Sequence, residues 1–251
     1  MFEELSIPGY DTVRLYDQVS STMDVARTLV NSPGSSLVIA RRQSAGRGRQ
    51  GRSWSSSSSA FMGTFVLCTD QPVASLSGYS LAVGVAIAEA LAAMGGGLTL
   101  KWPNDLVTIR DGELLKIGGV LIEVEERSSF RAVLVGLGLN VSEAPQDVPA
   151  ASSLRSAFDM RESVEEITSP LAVSLLHAHE EFRSARGFRA FRQRWLERSC
   201  FTVGQSWIKI DLGREVVAGV FQGIDENGAL LVSVDQDLRV VHSGHVLEMR
   251  L

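Results

Sequence analysis

The sequence predicts an α+β fold, with a mixed or antiparallel central sheet flanked by helices and a small C-terminal β-barrel. Three observations favour this class. Short strand-like runs joined by turns occupy much of residues 36–141, helical spacing fills most of residues 164–198, and short strands with tight turns return from about residue 203. We therefore expect a large domain over residues 1–200 and a small one over residues 201–251.

The first part of the chain is predicted to form strands around two helices. Residues 1–15 are short and mixed and predict no separate domain. A strand-like alternation at Tyr16 then gives way to hydroxyl residues, and Ser21 or Thr22 is expected to cap a helix. The spacing of apolar residues predicts helices at Met23–Val30 and Leu76–Met94, and strands at Ser36–Ala40 and Phe61–Cys68.

The rest of the sheet and the helical segment follow. A strand over residues 98–107 is expected to break at Pro103, and Asp111-Gly112 predicts a hairpin turn. Further strands are predicted at Leu114–Glu123 and Arg131–Val141, a loop over 142–156, and helices at Val164–Arg186 and Phe188–Arg198. Turns at Leu212-Gly213, Glu226-Asn227-Gly228 and Ser243-Gly244 then separate the short strands of the barrel.

Composition excludes several classes of protein. The chain has 251 residues, of which 45% are hydrophobic and 21% charged, so a packed core is expected and disorder is not. Its net charge of −5 argues against a general nucleic-acid binder. Cys68 and Cys200 lack metal-ligand spacing and are expected in the core. Neither a signal peptide nor a membrane-length apolar stretch is evident, which favours a cytoplasmic protein.

The most unusual stretch is Gln43–Trp54, which we call the glycine–arginine loop. Glycines at 46, 48 and 51 alternate with arginines at 47, 49 and 52. Glycine at this density predicts a mobile backbone, and arginine forks suit carboxylate and phosphate oxygens. On an acidic protein this local cationic site fits a small anionic ligand. Taken alone, it is equally consistent with a solvated basic turn or a nucleic-acid patch.

Three further motifs each have an ordinary structural explanation. Residues 101–105 read Lys-Trp-Pro-Asn-Asp, in which Trp-Pro can simply be a rigid turn. Lys116, in the run Lys-Ile-Gly-Gly, can be a strand-edge lysine that discourages aggregation. Gly136 and Gly138, ahead of Asn140, can mark close sheet packing, and no dinucleotide-type helix follows them.

In combination, these motifs resemble the biotin protein ligase family. The resemblance runs from about Tyr16 to Leu251 and includes residues 223–230, which resemble a strand pair of the family's C-terminal barrel. It implies a class II synthetase-like catalytic domain followed by an SH3-like barrel. It further implies the monofunctional type, because the short N-terminal segment has no room for the DNA-binding domain that some members carry.

The resemblance also implies the chemistry. The enzyme would be a ligase that forms a C–N bond: ATP activates biotin to biotinyl-5′-AMP, and the biotin passes to a lysine of a biotin carboxyl carrier domain of acetyl-CoA carboxylase or a related carboxylase. Lys116, Arg47 and Arg49 would be catalytic. Mg²⁺ would arrive on the ATP phosphates, since the sequence has no dedicated metal cluster. DNA and membranes are not expected partners, and a homodimer stays open.

The implied binding residues fall into two overlapping groups. The biotin site would comprise Ser21, Thr22, Met23, Gln43, Gly46, Arg47, Gly48, Arg49, Lys116 and Gly118. The ATP site would comprise Arg47, Arg49, Arg52, Trp54, Lys101, Asn104, Asp105, Lys116 and Asn140.

Some residues depart from the family, and two other functions stay open. Met23 stands where the family usually has asparagine, and a serine run at 55–59 replaces a segment richer in proline and glycine. His245 occupies an often acidic position in the barrel, and we expect it not to touch the motifs above. The alternatives are a lipoate or octanoate ligase or transferase on the same fold, and a non-catalytic biotin sensor.

Overall fold

The computed structural model describes residues 1–185 and 187–250. Its main feature is a sheet of eight strands in the order β1-β2-β3-β4-β8-β7-β6-β5. The strands are β1 (Phe2–Leu5), β2 (Thr12–Tyr16), β3 (Ser36–Ala40), β4 (Ala60–Thr69), β5 (Thr99–Lys101), β6 (Asp105–Arg110), β7 (Glu113–Glu126) and β8 (Arg131–Asn140). Their pairing is antiparallel throughout apart from the parallel pair β2–β3, so the predicted mixed sheet is confirmed.

Helices cover both faces of this sheet. They are α1 (Thr22–Thr28), α2 (Tyr79–Ala92), α3 (Leu154–Phe158), α4 (Val164–Ser184) and α5 (Arg192–Arg198). The larger core lies between the sheet and helices α2, α4 and α5, whereas α1 packs over a smaller core built on Met23, Ala26 and Val30. Strand β4, in the centre of the sheet, is buried along nearly its whole length, as its continuous apolar run predicts.

Several predicted boundaries move for identifiable reasons. Helix α2 begins at Tyr79 rather than Leu76 because Gly78 has a φ of 75°, a left-handed conformation that interrupts the helical backbone. The loop predicted over 142–156 ends early, since Ser153 caps α3. The helix predicted from Phe188 divides into a 3-10 turn at Gly187–Ala190 followed by α5. Arg186, the predicted end of the preceding helix, lies outside the described residues.

The N-terminal residues form an element that the sequence did not reveal. Strand β1 pairs antiparallel with β2 and adds an edge to the sheet. All four of its residues are exposed, so β1 has no buried apolar face to produce an alternating pattern.

The second sheet is built from the last part of the chain. Its five antiparallel strands are β9 (Trp207–Asp211), β10 (Val216–Ile224), β11 (Leu230–Val234), β12 (Asp237–Val241) and β13 (His245–Arg250), in the order β12-β11-β10-β9-β13. The predicted turns fall between them. One further turn, at Asp235 and Gln236, has φ values of 49° and 74° without a glycine, which explains why no turn was predicted there.

Residues of the Lys-Trp-Pro-Asn-Asp motif join the two sheets. The Trp102–Pro103 peptide bond is cis, and the buried Trp102 indole donates a hydrogen bond from Nε1 to the Gly228 carbonyl oxygen at 3.0 Å. Nearby, Gly78 and Gly228 approach so closely that a Cβ on Gly228 would lie 2.9 Å from the Gly78 Cα. The motif therefore fixes the small sheet against the large one.

Two smaller expectations can be compared with the structure. Cys200 is buried as expected, but Cys68, the last residue but one of β4, is only half-buried. Within residues 1–185 and 187–250, no helix combines the length and apolarity that a membrane span requires.

Candidate active site

A cleft lies between the large sheet, the glycine–arginine loop and the start of β13, with about 910 Å³ of space when the open solvent at its mouth is included. Most of the residues that the sequence singled out line it: Ser21, Thr22, Met23, Gln43, Arg47, Gly48, Arg49, Arg52, Trp54, Asn104, Asp105 and Lys116. They come from the start of α1, the loop, the β5–β6 turn and β7. Segments that are far apart in the chain thus converge on one site.

The N-terminal end of α1 supplies the uncharged polar wall. Ser21 caps the helix by accepting a hydrogen bond from the Met23 N–H. Thr22 donates to the Gln43 Oε1 atom from both its backbone N–H, at 2.7 Å, and its hydroxyl, at 3.1 Å. The Thr64 hydroxyl lies 2.9 Å from the Thr22 hydroxyl and continues the network. Because these contacts hold the Gln43 carbonyl oxygen, the amide orientation of Gln43 is set before any ligand arrives.

The glycine–arginine loop folds back on itself over the cleft. Arg47 pairs with Ser53 in an antiparallel bridge, and the Gly48 N–H donates to the Arg52 carbonyl oxygen at 2.7 Å. Gln50 has a φ of 56° and Gly51 one of 73°, so the tip needs left-handed backbone at two successive positions. The result is a tight hairpin that brings its arginines around the cleft.

The loop cations meet different partners. Arg47 forms an ion pair with Asp24 of α1 at 2.8 Å. Arg49 donates to the Asn104 Oδ1 atom at 3.3 Å, and its burial lowers the pKa of the guanidinium from its usual range. Such a shift marks a cation that has lost water without gaining a full counter-charge. An anion in the cleft would supply that charge.

Lys116 projects from β7 into the cleft. Its ammonium group pairs with the Asp105 carboxylate at 2.5 Å, and Asp105 is only 13% exposed. The Trp54 ring centroid lies 5.8 Å from the same nitrogen. A lysine held between a carboxylate and an indole face is fixed in position as a point charge.

A β-bulge determines which glycine accompanies Lys116. Strict two-residue alternation would place Lys116 and Gly118 on one face of β7. The register with β6 shifts instead, so that Leu106 pairs with Gly118 and Val107 with Lys116, and the intervening Ile117 is fully buried. A Cβ on Gly119 would lie 3.5 Å from the Lys116 Nζ atom. Gly119 therefore lines the cleft, and Gly118 lies between strands, where a Cβ would approach the Gly138 carbonyl oxygen to 2.6 Å.

Three other predicted site residues do not line the cleft. Gly46 forms the base of the loop hairpin, where its carbonyl oxygen accepts from the Trp54 N–H at 2.9 Å. The Lys101 ammonium group donates to the Val246 carbonyl oxygen of β13 at 3.1 Å. Asn140 is buried and donates from Nδ2 to the Ser152 carbonyl oxygen at 3.0 Å, beneath the loop that follows β8.

The cleft also contains residues that the sequence analysis did not assign to it. Gly136 and Gly138 form part of its floor, and a Cβ on Gly138 would lie 2.4 Å from the Trp54 ring. Thr64 interrupts an apolar strand, as Lys116 does. His245 lines the cleft and receives a hydrogen bond from Arg52, so the expectation that it stays apart from the motifs is wrong. No local pattern signals it, because it lies on another sheet.

This geometry suits a reaction between two anions. Four cationic side chains, those of Arg47, Arg49, Arg52 and Lys116, line the cleft together with hydroxyl and amide groups. Clustered cations offset the repulsion between anionic reactants and the charge that develops as they react. Among the described residues, no group of three or more His, Cys, Asp or Glu side chains could hold a metal ion.

Comparisons with known proteins agree with this site. The model of the biotin/lipoate A/B protein ligase family matches residues 15–140, and that of the biotin protein ligase C terminal domain matches residues 208–247. The biotin–[acetyl-CoA-carboxylase] ligase of Mycobacterium tuberculosis is 34% identical over 85% of this chain and 79% of the relative. The Paracoccus denitrificans ligase of the same name is 31% identical over 85% of this chain and 90% of the relative.

A solved structure shares the fold. The biotin protein ligase from Aquifex aeolicus, in complex with biotin and ATP, superimposes with a TM-score of 0.77 at 24% identity, covering 96% of this chain and 99% of that one. The sequence matches extend over both sheets and the cleft between them. The chain belongs to the biotin/lipoate A/B protein ligase family.

Proposed function

We propose that this protein is an ATP-dependent biotin protein ligase. It would activate biotin to biotinyl-5′-AMP and then transfer the biotin to a lysine of a biotin carboxyl carrier domain. The observation that carries the proposal is the single cleft in which Lys116 and the loop arginines face a polar wall of hydroxyl and amide groups. Relatives named as biotin–[acetyl-CoA-carboxylase] ligases support an acetyl-CoA carboxylase carrier domain as the acceptor.

The polar wall at the start of α1 would bind the ureido ring of biotin. Because Thr22 already donates hydrogen bonds to the Gln43 side-chain oxygen, the Gln43 Nε2 group would be the donor offered to a ligand. The Ser21 and Thr22 hydroxyls would supply further polar contacts. Met23 is buried with its methyl end against Gly136, which gives this wall an apolar surface where the family usually has asparagine. The acyl chain would then run along the glycine floor toward Lys116.

The first reaction joins the biotin carboxylate to the α-phosphate of ATP. A carboxylate oxygen attacks phosphorus, the bond to the bridging oxygen breaks, and pyrophosphate leaves with that electron pair. Lys116 would lie between the two anions, and Arg49 and Arg52 would bind phosphate or adenylate oxygens as the loop closes. Mg²⁺ would be carried by the phosphates of ATP.

The second reaction releases AMP. The acceptor lysine must be uncharged to attack the acyl carbon, and the C–O bond to the phosphate then breaks as the C–N bond forms. Asp105 would accept the amine proton, because its carboxylate already lies in the cleft beside Lys116. Trp54 and Asn104 would contact the nucleotide side, whereas Lys101 and Asn140 would act indirectly through β13 and the Ser152 segment.

The direct test is incubation with ATP, Mg²⁺, labelled biotin and a carrier domain. Label should appear on the acceptor lysine, and neither a Lys→Arg carrier nor the Lys116→Ala enzyme should give it. Unlabelled lipoate, added as a competitor, tests the other activity that the family name includes. The match to a biotin protein ligase C-terminal domain favours biotin. The proposal would be overturned if excess unlabelled lipoate abolished the labelling of the carrier and excess unlabelled biotin did not.

A further inference from the structure

The C-terminal sheet contacts the glycine–arginine loop through one side-chain pair. Arg52 Nη1 lies 3.2 Å from His245 Nε2, and the two residues are 193 positions apart in the chain. His245 is the first residue of β13 and lines the cleft. The loop that covers the cleft is therefore in contact with a residue of the other sheet.

The chemistry of this pair fixes the state of the imidazole. A guanidinium group only donates hydrogen bonds, so Nε2 must be the acceptor, and the proton of the neutral ring must lie on Nδ1. A protonated His245 has no acceptor and would repel Arg52. The interaction therefore exists only while His245 is neutral.

The surroundings of His245 favour the neutral form. Burial, and then the positive charges of Arg52 and Lys101, lower the pKa of His245 from its ordinary value. Lys116 acts in the same direction, and Asp105 opposes it. Across the sheet, the backbone of His245 pairs with Asp211, whose carboxylate accepts from the Gly213 N–H at 2.7 Å.

Both ends of this contact are fixed in place. On the loop side, the Arg52 carbonyl oxygen accepts from the Gly48 N–H at 2.7 Å and the Arg52 N–H donates to the Arg49 carbonyl oxygen at 3.2 Å. On the side of the small sheet, the Lys101 ammonium group donates a hydrogen bond to the carbonyl oxygen of Val246, the neighbour of His245, at 3.1 Å. Restraining the Arg52 side chain thus restrains the whole turn that carries Arg49.

We propose that His245 is a positioning residue that holds the glycine–arginine loop closed over the cleft through Arg52, and that protonation of its imidazole releases the loop. Its effect on catalysis rests on the proposed ligase function, whereas the contact itself does not. If the cleft holds biotinyl-5′-AMP, retention of this intermediate should weaken as the pH falls through the pKa of His245. A closed loop excludes water from a hydrolysable intermediate, so the contact would protect biotinyl-5′-AMP from hydrolysis.

The first experiment tests the contact without any substrate. In NMR spectra of isotope-labelled imidazoles, assigned with His245→Gln, the His245 ring should be the Nδ1–H tautomer at about pH 8 and should titrate below the ordinary value of about 6.5. Arg52→Met should raise its pKa, because a repelling charge is lost. A Nε2–H tautomer, or a pKa that Arg52→Met leaves unchanged, overturns the proposal.

The second experiment measures release of biotinyl-5′-AMP from the enzyme. His245→Ala should accelerate release about three- to tenfold at about pH 8, the effect of losing one partly exposed hydrogen bond. His245→Gln should restore slow release relative to His245→Ala, since its Oε1 can accept from Arg52. The matched control is His177→Gln, an exposed histidine on α4.

The pH dependence separates positioning from mere packing. Release of biotinyl-5′-AMP from the wild-type enzyme should become faster as the pH is lowered from about 8 to about 5.5. Neither His245→Ala nor His245→Gln should show this acceleration. Equal release by the wild type and His245→Ala at pH 8, or an acceleration retained in His245→Gln, overturns the proposal. An enzyme that forms no adenylate at all would contradict the proposed function, while the NMR titration would still decide the contact.

Discussion

Gly138→Ala is the substitution whose effect follows most directly from the geometry. A Cβ at this position would lie 2.4 Å from Trp54 Cε2 and 2.6 Å from Nε1, well inside contact distance. Gly138 cannot retreat, because β8 is held between β4 and β7 and this residue pairs with Met62 and Gly119. The indole must therefore leave the cleft floor, and the Trp54 backbone closes the loop hairpin through Gly46.

The magnitude follows from the cost of overpacking. One methyl group forced into a well-packed site costs about 1–3 kcal/mol. The strain disappears when the loop opens. The substitution therefore destabilises the closed loop relative to the open loop and leaves the stability of the folded protein nearly unchanged. The ratio of closed to open loop should then fall about 5- to 150-fold.

The assay is limited trypsin digestion of the ligand-free protein, because the loop carries three arginines. We expect Gly138→Ala to increase cleavage within residues 47–52 while thermal unfolding stays close to that of the wild type. Gly136→Ala is the matched control in the same strand, since the closest atom to its Cβ would be the flexible end of Met23, 2.9 Å away at Cε, and its contacts with Leu121 would be at ordinary distances. Equal loop cleavage in the two variants would refute the idea that Trp54 packing holds the loop closed.

Three further outcomes are expected. Lys116→Ala should abolish biotin-dependent pyrophosphate exchange, because the charge between the two reacting anions is lost; near-normal exchange would remove Lys116 from the mechanism. Arg49→Gly should leave adenylate formation partly intact but speed its dissociation, and an unchanged off-rate would count against a lid role. His179 is buried and neutral: it accepts from the Tyr79 hydroxyl at Nδ1 and donates to the Cys68 carbonyl oxygen, and burial lowers its pKa. The unfolded chain therefore binds the extra proton, so His179 should contribute a loss of stability as the pH falls below about 6.5. The midpoint of urea unfolding, measured at about pH 7.5 and about pH 5.5, reports this loss of stability. The difference between the two midpoints should be smaller for His179→Asn than for the wild type.

Local patterns in the sequence predicted most of the sheet, and the resemblance to the biotin protein ligase family predicted most of the residues that line the cleft. Ser36–Ala40 is a strand with the predicted bounds, since a short continuous apolar run admits few alternatives. Lys116 was also consistent with a strand-edge lysine until its motif was considered together with the others. Strand signals of this kind are local, and a single sequence contains them in full.

Features that depend on register or on distant contacts could not be predicted. The bulge at Ile117 moves Gly119 rather than Gly118 into the cleft, and it arises from pairing between β6 and β7 that no residue pattern encodes. Lys101 binds Val246 because the second sheet lies against β5, and His245 enters the cleft for the same reason. The position of the small sheet is a tertiary property, so its contribution to the site was missed.

The partners of the cleft cations show how the cleft can hold several positive charges close together. Arg47 is paired with Asp24, and Lys116 with Asp105. Each of these cations has a full counter-charge, and a ligand anion must exchange with a carboxylate to reach it. Such pairs keep the side chains in place before the substrate binds, at the cost of an exchange step.

The other two loop arginines have neutral partners. Arg49 bonds to the Asn104 amide oxygen, and Arg52 to the neutral imidazole of His245. An incoming phosphate can replace the Asn104 contact of Arg49 without separating an ion pair, and it can bind the N–H donors of Arg52 that the contact with His245 leaves free. It would also relieve the desolvation that lowers the pKa of Arg49. We therefore expect Arg49 and Arg52 to bind the triphosphate first and Lys116 to exchange Asp105 for the reacting anions only afterwards, which leaves the Asp105 carboxylate available as the base for the incoming lysine.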